Sequence, residues 1–213
     1  MSIPAIGILI SGSGTNMVAL VEATQTGAVP ARPAIVISNN PEAAGLAKAA
    51  ALGVATAVVD HRAYKGDREA FDAAINAKLD EAGVELVALA GFMRIMTPVL
   101  IDAWAGKMLN IHPSLLPLFK GVDTHVQALE AGVSVHGATV HEVTQALDSG
   151  AILGQAVVPV LPGDTAQTLG ARVLKREHVL YPRVLAAFLC DPEAARRNPI
   201  ALFPDPSSDS KDM

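Results

Sequence analysis

The sequence AIGILISGSGTN, residues 5–16, is the strongest indication of how this chain folds. Residues 5–10 are a continuous apolar run, which is typical of a strand buried on both faces of a parallel sheet. The glycine loop at residues 11–16 follows, and residues 17–24 favour a helix. A strand, a glycine loop and a helix in this order present backbone N–H groups and the positive end of a helix dipole to an anion, most often a phosphate.

The glycine loop does not match the common nucleotide-binding fingerprints. Met17 stands where the third glycine of a dinucleotide motif would fall, and the chain has no Gly-Lys-Ser/Thr of a Walker loop. A plain turn with a helix N-cap at Ser13 or Thr15 therefore stays open beside anion binding.

The rest of the chain alternates strand and helix patterns with short loops, which indicates a doubly wound, mostly parallel α/β sheet. Strands are predicted at 5–10, 34–37, 54–59, 86–90 and 107–111. Helices are predicted at 17–24, 38–52 with the cap included, 64–82, 98–105, 123–131 and 164–189. Residues 134–143 and 151–159 read as two further strands, which we expect to form an antiparallel addition to the sheet.

The chain has no internal repeat or clear linker, so we predict one domain over residues 1–190. From residue 191 onward Pro, Ser, Asp and Arg dominate. This composition predicts a peripheral, partly mobile tail over residues 191–213.

Composition narrows the class of protein. The chain has 213 residues, 51% of them hydrophobic, and a net charge of -5 with its Lys and Arg scattered, which argues against nucleic acid or an acidic membrane as partner. Cys190 is the only cysteine, so an intramolecular disulfide is excluded. The N-terminus lacks the basic residues of a signal peptide, and no apolar run approaches the ~20 residues needed to cross a bilayer. We expect a cytoplasmic protein that is a monomer or homodimer.

Asn110 and His112 are the residues best suited to chemistry. In an extended segment residues i and i+2 project from the same face, so both side chains would reach one reacting atom. An amide can donate to a developing oxyanion, and an imidazole can move protons near neutral pH. An aspartate near His112 would favour the imidazolium form and orient the ring, and Asp148 in its loop is a candidate. An ordinary strand end and an ordinary turn aspartate are the structural alternatives.

Polar loops at three predicted strand ends support one shared site. They are the glycine loop, residues 91–94 and Asn110-x-His112, and ligands of such sheets bind at the carboxyl ends of strands. Other chemistries are less favoured. The six histidines lack the spacing of a zinc motif, Ser114 lacks a nucleophile elbow, and Cys190 reads as a small buried hydrophobe. We therefore predict no metal.

Five motifs, in order, resemble the folate-dependent formyltransferases, and among them the monofunctional phosphoribosylglycinamide formyltransferases of purine biosynthesis. The resemblance covers about residues 3–190. The motifs are ISGSGTN at 10–16, AGFMRI at 90–95, LNIHPSLLP at 109–117, HGATVH at 136–141 and LDSG at 147–150.

The resemblance implies that 10-formyltetrahydrofolate, as a consumed cosubstrate, donates its formyl group to the amine of glycinamide ribonucleotide. It implies a catalytic trio of Asn110, His112 and Asp148. Gly14, Thr15, Asn16 and Glu177 match the family's ribonucleotide site. The matches to the folate pocket are Arg68, Met93, Arg94, Ile95, Met96, Asn110, Thr144, Gln145, Ala146, Leu147 and Asp148.

The sequence departs from the family pattern at three places. Residues 120–123, Lys-Gly-Val-Asp, replace a usual Pro-Gly-Leu-His; Ala138 replaces a common hydroxyl residue, and Leu174 a polar residue near the phosphate end. The competing functions are a formyltetrahydrofolate hydrolase, which usually has an added N-terminal domain, a transfer-RNA formylating enzyme, which has a basic C-terminal domain, and a non-catalytic folate or nucleotide sensor. The departures bear on substrate affinity and leave the catalytic trio intact.

Overall fold

The computed structural model describes residues 3–204. Strands and helices alternate along this range, as the sequence predicts. The strands are β1 Ala5–Ile10, β2 Arg32–Ser38, β3 Thr56–Val58, β4 Leu86–Leu89, β5 Met108–His112, β6 Val135–Glu142, β7 Ile152–Pro159 and β8 Ile200–Leu202. The helices are α1 Thr15–Gln25, α2 Ala44–Ala51, α3 Arg68–Glu81, α4 Pro98–Ala103, α5 Thr124–Glu130, α6 Ala166–Cys190 and α7 Pro192–Arg197.

The strands follow the order β3-β2-β1-β4-β5-β6-β7-β8 in one sheet. Strands β1 to β5 pair in parallel, β6 and β7 pair antiparallel, and β8 runs parallel to β7. This arrangement confirms the predicted α/β class with a mostly parallel sheet and an antiparallel addition in the C-terminal part.

By its contacts the chain divides into two compact units, and the first comprises, within the described range, residues 3–110 with Glu142–Ala146. Every residue of β1 is buried, as expected for a strand covered on both faces. Helix α3 approaches β1 closely at Gly7. A Cβ at this position would lie 2.5 Å from Cδ2 of Leu79. Phe71 and Trp104 belong to the apolar core of this unit.

Within the described range, the second unit comprises Ile111–His141 with residues 147–204. Helix α6 packs on β7 at Gly154, where a Cβ would lie 2.6 Å from Cγ2 of Val184. Arg172 of this helix donates two hydrogen bonds to Asp164, which precedes the helix. These bonds hold the pKa of the Asp164 carboxyl far below its usual range. Over residues 3–204 no helix combines the length and the apolar character needed to cross a membrane.

The single helix predicted over residues 64–82 is interrupted in the structure. A 3-10 turn occupies His61–Tyr64, and α3 begins only at Arg68. Lys65 and Gly66 have φ values of 50° and 93°, which no right-handed helix accommodates. Asp67 then caps α3 by accepting from the backbone N–H of Ala70. The chain therefore turns at residues 65–66, and a separate helix begins at Arg68.

Helix α2 also begins later than predicted, at Ala44. The N–H of Asn40 donates to Oγ of Ser38, and the Oδ1 of Asn40 accepts from the N–H of Glu42, each at 3.0 Å. The polar side chains expected to cap the helix therefore stabilise a turn before it. Residues 54, 55 and 59 lie outside β3, which is shorter than predicted.

The segment predicted as a peripheral tail contains regular structure. Pro192 begins α7, which Asp191 caps through the N–H of Ala194. Strand β8 then pairs with β7, with Gly154 opposite Ile200. The composition of residues 191–204 concealed this because the hydrogen bonds of β8 are made to a distant strand. Residues 205–213 lie outside the described range.

Candidate active site

Strand β5 carries both residues of the Asn-x-His motif. The strand continues through His112, one residue beyond the prediction, so Asn110 and His112 project from the same face. His112 is 5% exposed, whereas Asn110 is half-buried. The strand therefore presents an amide and a desolvated imidazole side by side.

Asp148 lies beside His112. Its Oδ2 is 3.6 Å from Nδ1 of His112, and both side chains are almost fully buried. The backbone N–H of Gly121 donates to the same Oδ2 at 2.9 Å, and Nε2 of His141 lies 3.8 Å from Oδ1. Asp148 adopts a φ of 47°, which aspartate tolerates better than most residues. A negative charge is thus held in place between two histidines.

The carbonyl of Phe119 determines which nitrogen of His112 carries a proton. Nε2 of His112 lies 2.9 Å from this oxygen. Because a carbonyl oxygen only accepts, Nε2 must be the donor in this arrangement. Nδ1 then faces the Asp148 carboxylate. The ring therefore has a backbone acceptor on one side and a carboxylate on the other.

The glycine loop leads into α1 through Gly14, which has a φ of 68° and is the N-cap residue. A Cβ at this position would also lie 2.7 Å from Cα of Gly45. The alternative caps, Ser13 and Thr15, are therefore not used, and no side chain of residues 3–204 caps α1. Buried Asn16 and half-buried Thr15 begin the helix, whose first N–H groups suit an anion.

The residues matched to the folate pocket are mostly exposed. Met93 and Ile95 are 73% and 68% exposed, Leu147 is 62% exposed, and Arg68 begins α3 at the surface. In the loop after β6, Nε2 of Gln145 donates to Oδ1 of Asp102 at 2.9 Å. The other six matches, taken as whole residues, are also at the surface or half-buried: Arg94, Met96, Asn110, Thr144, Ala146 and Asp148.

Glu177 lies in α6 and is 6% exposed. Its position among the buried residues of this helix contrasts with Lys175 on the more exposed side. Carboxylates are seldom buried because desolvation of the charge is costly, which makes Glu177 an unusual residue for a helix core.

The sequence pattern of the formyl transferase family matches residues 5–185, most of the chain. The chain belongs to the formyl transferase family. It is 43% identical over 181 residues to the phosphoribosylglycinamide formyltransferase of Escherichia coli, with 85% of each chain covered. The crystal structure of glycinamide ribonucleotide transformylase 1 from Symbiobacterium toebii superposes with a TM-score of 0.85 at 47% identity, covering 87% of each chain.

Other relatives of this formyl transferase chain are much longer. It is 49% identical over 180 residues to the trifunctional purine biosynthetic protein adenosine-3 of Bos taurus. That match covers 84% of this chain but only 18% of the relative. The chain therefore corresponds to less than a fifth of the trifunctional proteins.

Sequence reasoning missed three contacts of the candidate active site: the carbonyl of Phe119, the N–H of Gly121 and the ring of His141. The first two are backbone groups, which residue types do not reveal. Their segment, residues 119–121, was nevertheless marked by its departure from the family pattern at Lys120. His141 was one of six histidines and carried no signal of its proximity to Asp148.

His125 and His136 form a second histidine pair in the same unit. Nδ1 of His125 lies 3.1 Å from Nε2 of His136, and the rings meet edge to face. Burial, together with the charge of His125, lowers the pKa of His136 to about 4. Among residues 3–204 no group of three His, Cys, Asp or Glu side chains is arranged to hold a metal. The predicted absence of a metal stays a prediction.

Proposed function

We propose that this chain transfers the formyl group of 10-formyltetrahydrofolate to the amine of 5-phosphoribosylglycinamide, giving formylglycinamide ribonucleotide in de novo purine biosynthesis. Membership of the formyl transferase family supports the reaction type. The names of the E. coli and S. toebii relatives support the acceptor. The observation that carries the proposal is the buried His112–Asp148 pair two residues from Asn110.

In the proposed mechanism the neutral amine of the acceptor attacks the formyl carbon. A carbon–nitrogen bond forms to the amine, and the bond from the formyl carbon to N10 of the folate breaks. Asn110 and protonated His112 stabilise the tetrahedral oxyanion. The amine loses one proton and N10 gains one, and His112 with a water ordered by Asp148 carries this transfer.

The binding roles come from the family motifs. The N–H groups of Gly14, Thr15 and Asn16 bind the acceptor phosphate, which agrees with the uncapped start of α1. Glu177 contacts the ribose and the amine end. Arg68, residues 93–96 and residues 144–148 bind the folate, with Asn110 at its formyl end.

We further propose a cytoplasmic enzyme, monomeric or homodimeric, with small molecules as its only substrates. No nucleic acid or membrane partner is needed for this chemistry. The net charge of -5 and the scattered cations support this proposal.

The test is the absorbance change on conversion of 10-formyltetrahydrofolate, with and without glycinamide ribonucleotide. We expect turnover only with the ribonucleotide. Conversion without it would favour the hydrolase, and binding without any conversion would favour a sensor.

Asn110→Ala is the variant for the same assay. Loss of one oxyanion donor typically costs ~10²–10³ in rate. Turnover close to that of the wild type would contradict the role of Asn110.

A further inference from the structure

The segment at residues 93–96, proposed to bind folate, is an exposed bridge between two polar anchors in the first unit. Met93 and Ile95 expose most of their surface, whereas Phe92 just before them is 9% exposed in the apolar core. Met96 packs against the same core, so apolar contacts hold the bridge at its last residue, while Met93 and Ile95 have little apolar support. Polar contacts at the two ends of the bridge hold the rest of it.

Ser11 is the anchor at the start of the bridge. Its backbone N–H donates to the carbonyl of Gly91 at 3.0 Å, and its Oγ accepts from the N–H of Met93 at 2.7 Å. The same hydroxyl donates to Oδ1 of Asn39, which is 5% exposed, at 2.5 Å. Gly91 has a φ of 78°, and this turn brings Met93 back toward Ser11. One hydroxyl thus joins the ends of β1, β2 and β4.

Asp72 is the anchor at the other end. Its Oδ2 accepts from both the N–H and the Oγ1 of Thr97, at 2.5 Å and 2.8 Å, and the residue is fully buried. Arg68 lies one helical turn earlier on α3, and its charge acts on the carboxylate. Burial raises the pKa of Asp72, and the bonds from Thr97 oppose that rise. Asp72 therefore connects two parts of the proposed folate site.

We propose that Ser11 and Asp72 are positioning residues, which hold residues 93–96 in the shape that accepts the folate cosubstrate. This inference rests on the proposed function and adds two residues that the family motifs did not match to either substrate site. A segment fixed before binding loses less conformational entropy when the ligand arrives. Removal of either anchor should therefore weaken folate binding more than it weakens binding of the ribonucleotide.

Ser11→Ala and Asp72→Asn test the two anchors, and each has a matched control. Ser38→Ala removes a buried hydroxyl with two hydrogen bonds at the end of β2, and both bonds go to Asn40. Asp80→Asn makes the same change on the exposed side of α3, where the carboxylate accepts from Asn76. Circular dichroism and thermal melting establish that each variant folds.

The measurement is calorimetric binding of 10-formyl-5,8-dideazafolate, an unreactive stand-in in the absence of acceptor, and separately of glycinamide ribonucleotide. We expect the folate Kd to rise about tenfold in each anchor variant, as loss of about one hydrogen bond implies. The Kd of the ribonucleotide should change less than about twofold, and both controls should match the wild type. In steady state the folate KM should rise more than kcat falls.

The double variant examines whether both anchors act on one segment. Once one end is released, the second anchor contributes less, so the combined loss should fall well short of about hundredfold. A fully multiplicative loss, unchanged folate affinity in a folded Ser11→Ala protein, or an equal loss of affinity for both ligands would each overturn the inference. If the wild type itself binds no folate, the proposed function fails instead. Ser11→Ala alone decides the matter if Asp72→Asn does not fold.

Discussion

His112 and His136 are both buried in the second unit, at 5% and 1% exposure, yet their neighbours differ. His112 has the Asp148 carboxylate at 3.6 Å on one nitrogen and the Phe119 carbonyl on the other. His136 has another imidazole, that of His125, the ring of Phe119 and the backbone of Pro113 as an acceptor. His112 therefore has a carboxylate as its neighbour, whereas His136 has a second imidazole.

The difference shows that burial alone does not make a histidine a proton carrier. Burial favours the neutral form of any imidazole, and only a nearby negative charge or acceptor opposes it. At His136 burial and the charge of His125 outweigh the Pro113 backbone, so the pKa falls to about 4 and the ring stays neutral at physiological pH. His136 is suited to packing, and His112 to chemistry.

Exchange of His112 for alanine gives the largest effect that this comparison predicts. A positioned general acid or base contributes typically 10²–10⁴-fold, so His112→Ala should lose about that much turnover. The folate absorbance assay measures it. His136→Gln at pH 8 is the matched control and should keep most of its activity. If both variants lost turnover equally, the distinction between the two histidines would be wrong.

Asp148→Asn removes the charge beside His112 while leaving an oxygen to accept from Gly121. Interactions with a charged group are worth about 1.5–3 kcal/mol, so we expect a fall of roughly 10–100-fold in kcat. Pre-steady-state turnover separates this chemical step from product release. An unchanged kcat would mean that the carboxylate only shapes the loop.

Acid stability examines the other histidine. The unfolded chain protonates His136 near its ordinary pKa of 6.5, whereas the folded chain resists protonation down to about 4. The contribution of this pKa difference to the free energy of unfolding is complete above pH 6.5 and is lost as the pH falls from 6.5 toward 4. The groups near His136 that act on its pKa are His125 and His112, which lower it, and the backbone of Pro113, which raises it.

Urea unfolding at pH 7.5 and pH 5 measures this effect in the wild type and in His136→Gln. The wild type should lose more stability on acidification than the variant. Some loss should remain in the variant, because burial also lowers the pKa of His125. Equal losses in both proteins would show that His136 does not titrate as its surroundings imply.

Lys120 gives the smallest effect. Its Nζ donates to Oγ of Ser149 at 2.5 Å, next to Asp148, but both residues are near the surface. Exposed polar contacts contribute little, so Lys120→Met should change kcat less than about fivefold. Steady-state kinetics at two salt concentrations checks this. A large loss would mean that the departure at Lys120 belongs to the catalytic machinery.

The buried strands were predictable because their apolar runs depend on local sequence alone. The positions of β1, β4 and β5, and with them the glycine loop and the Asn110–His112 pair, were recovered to within a residue or two. Helix ends were less predictable. Lys65 and Gly66 lie within an amphipathic pattern, yet the backbone there turns left-handed and divides it.

Local sequence established the α/β class and the residue types able to bind an anion, donate to an oxyanion and move a proton. The resemblance of the motifs added their roles. Neither the local sequence nor the motifs predicted the hydrogen bonds from His112 to the Phe119 carbonyl, from the Gly121 N–H to Asp148 and from the Met93 N–H to the Ser11 hydroxyl, or the pairing of β8 with β7. Each of these contacts joins groups that are distant in the chain or belong to the backbone. Apolar periodicity is a property of residues that are neighbours in the sequence. Hydrogen-bond partners and the pKa of a buried histidine depend instead on the groups that the tertiary structure places next to them.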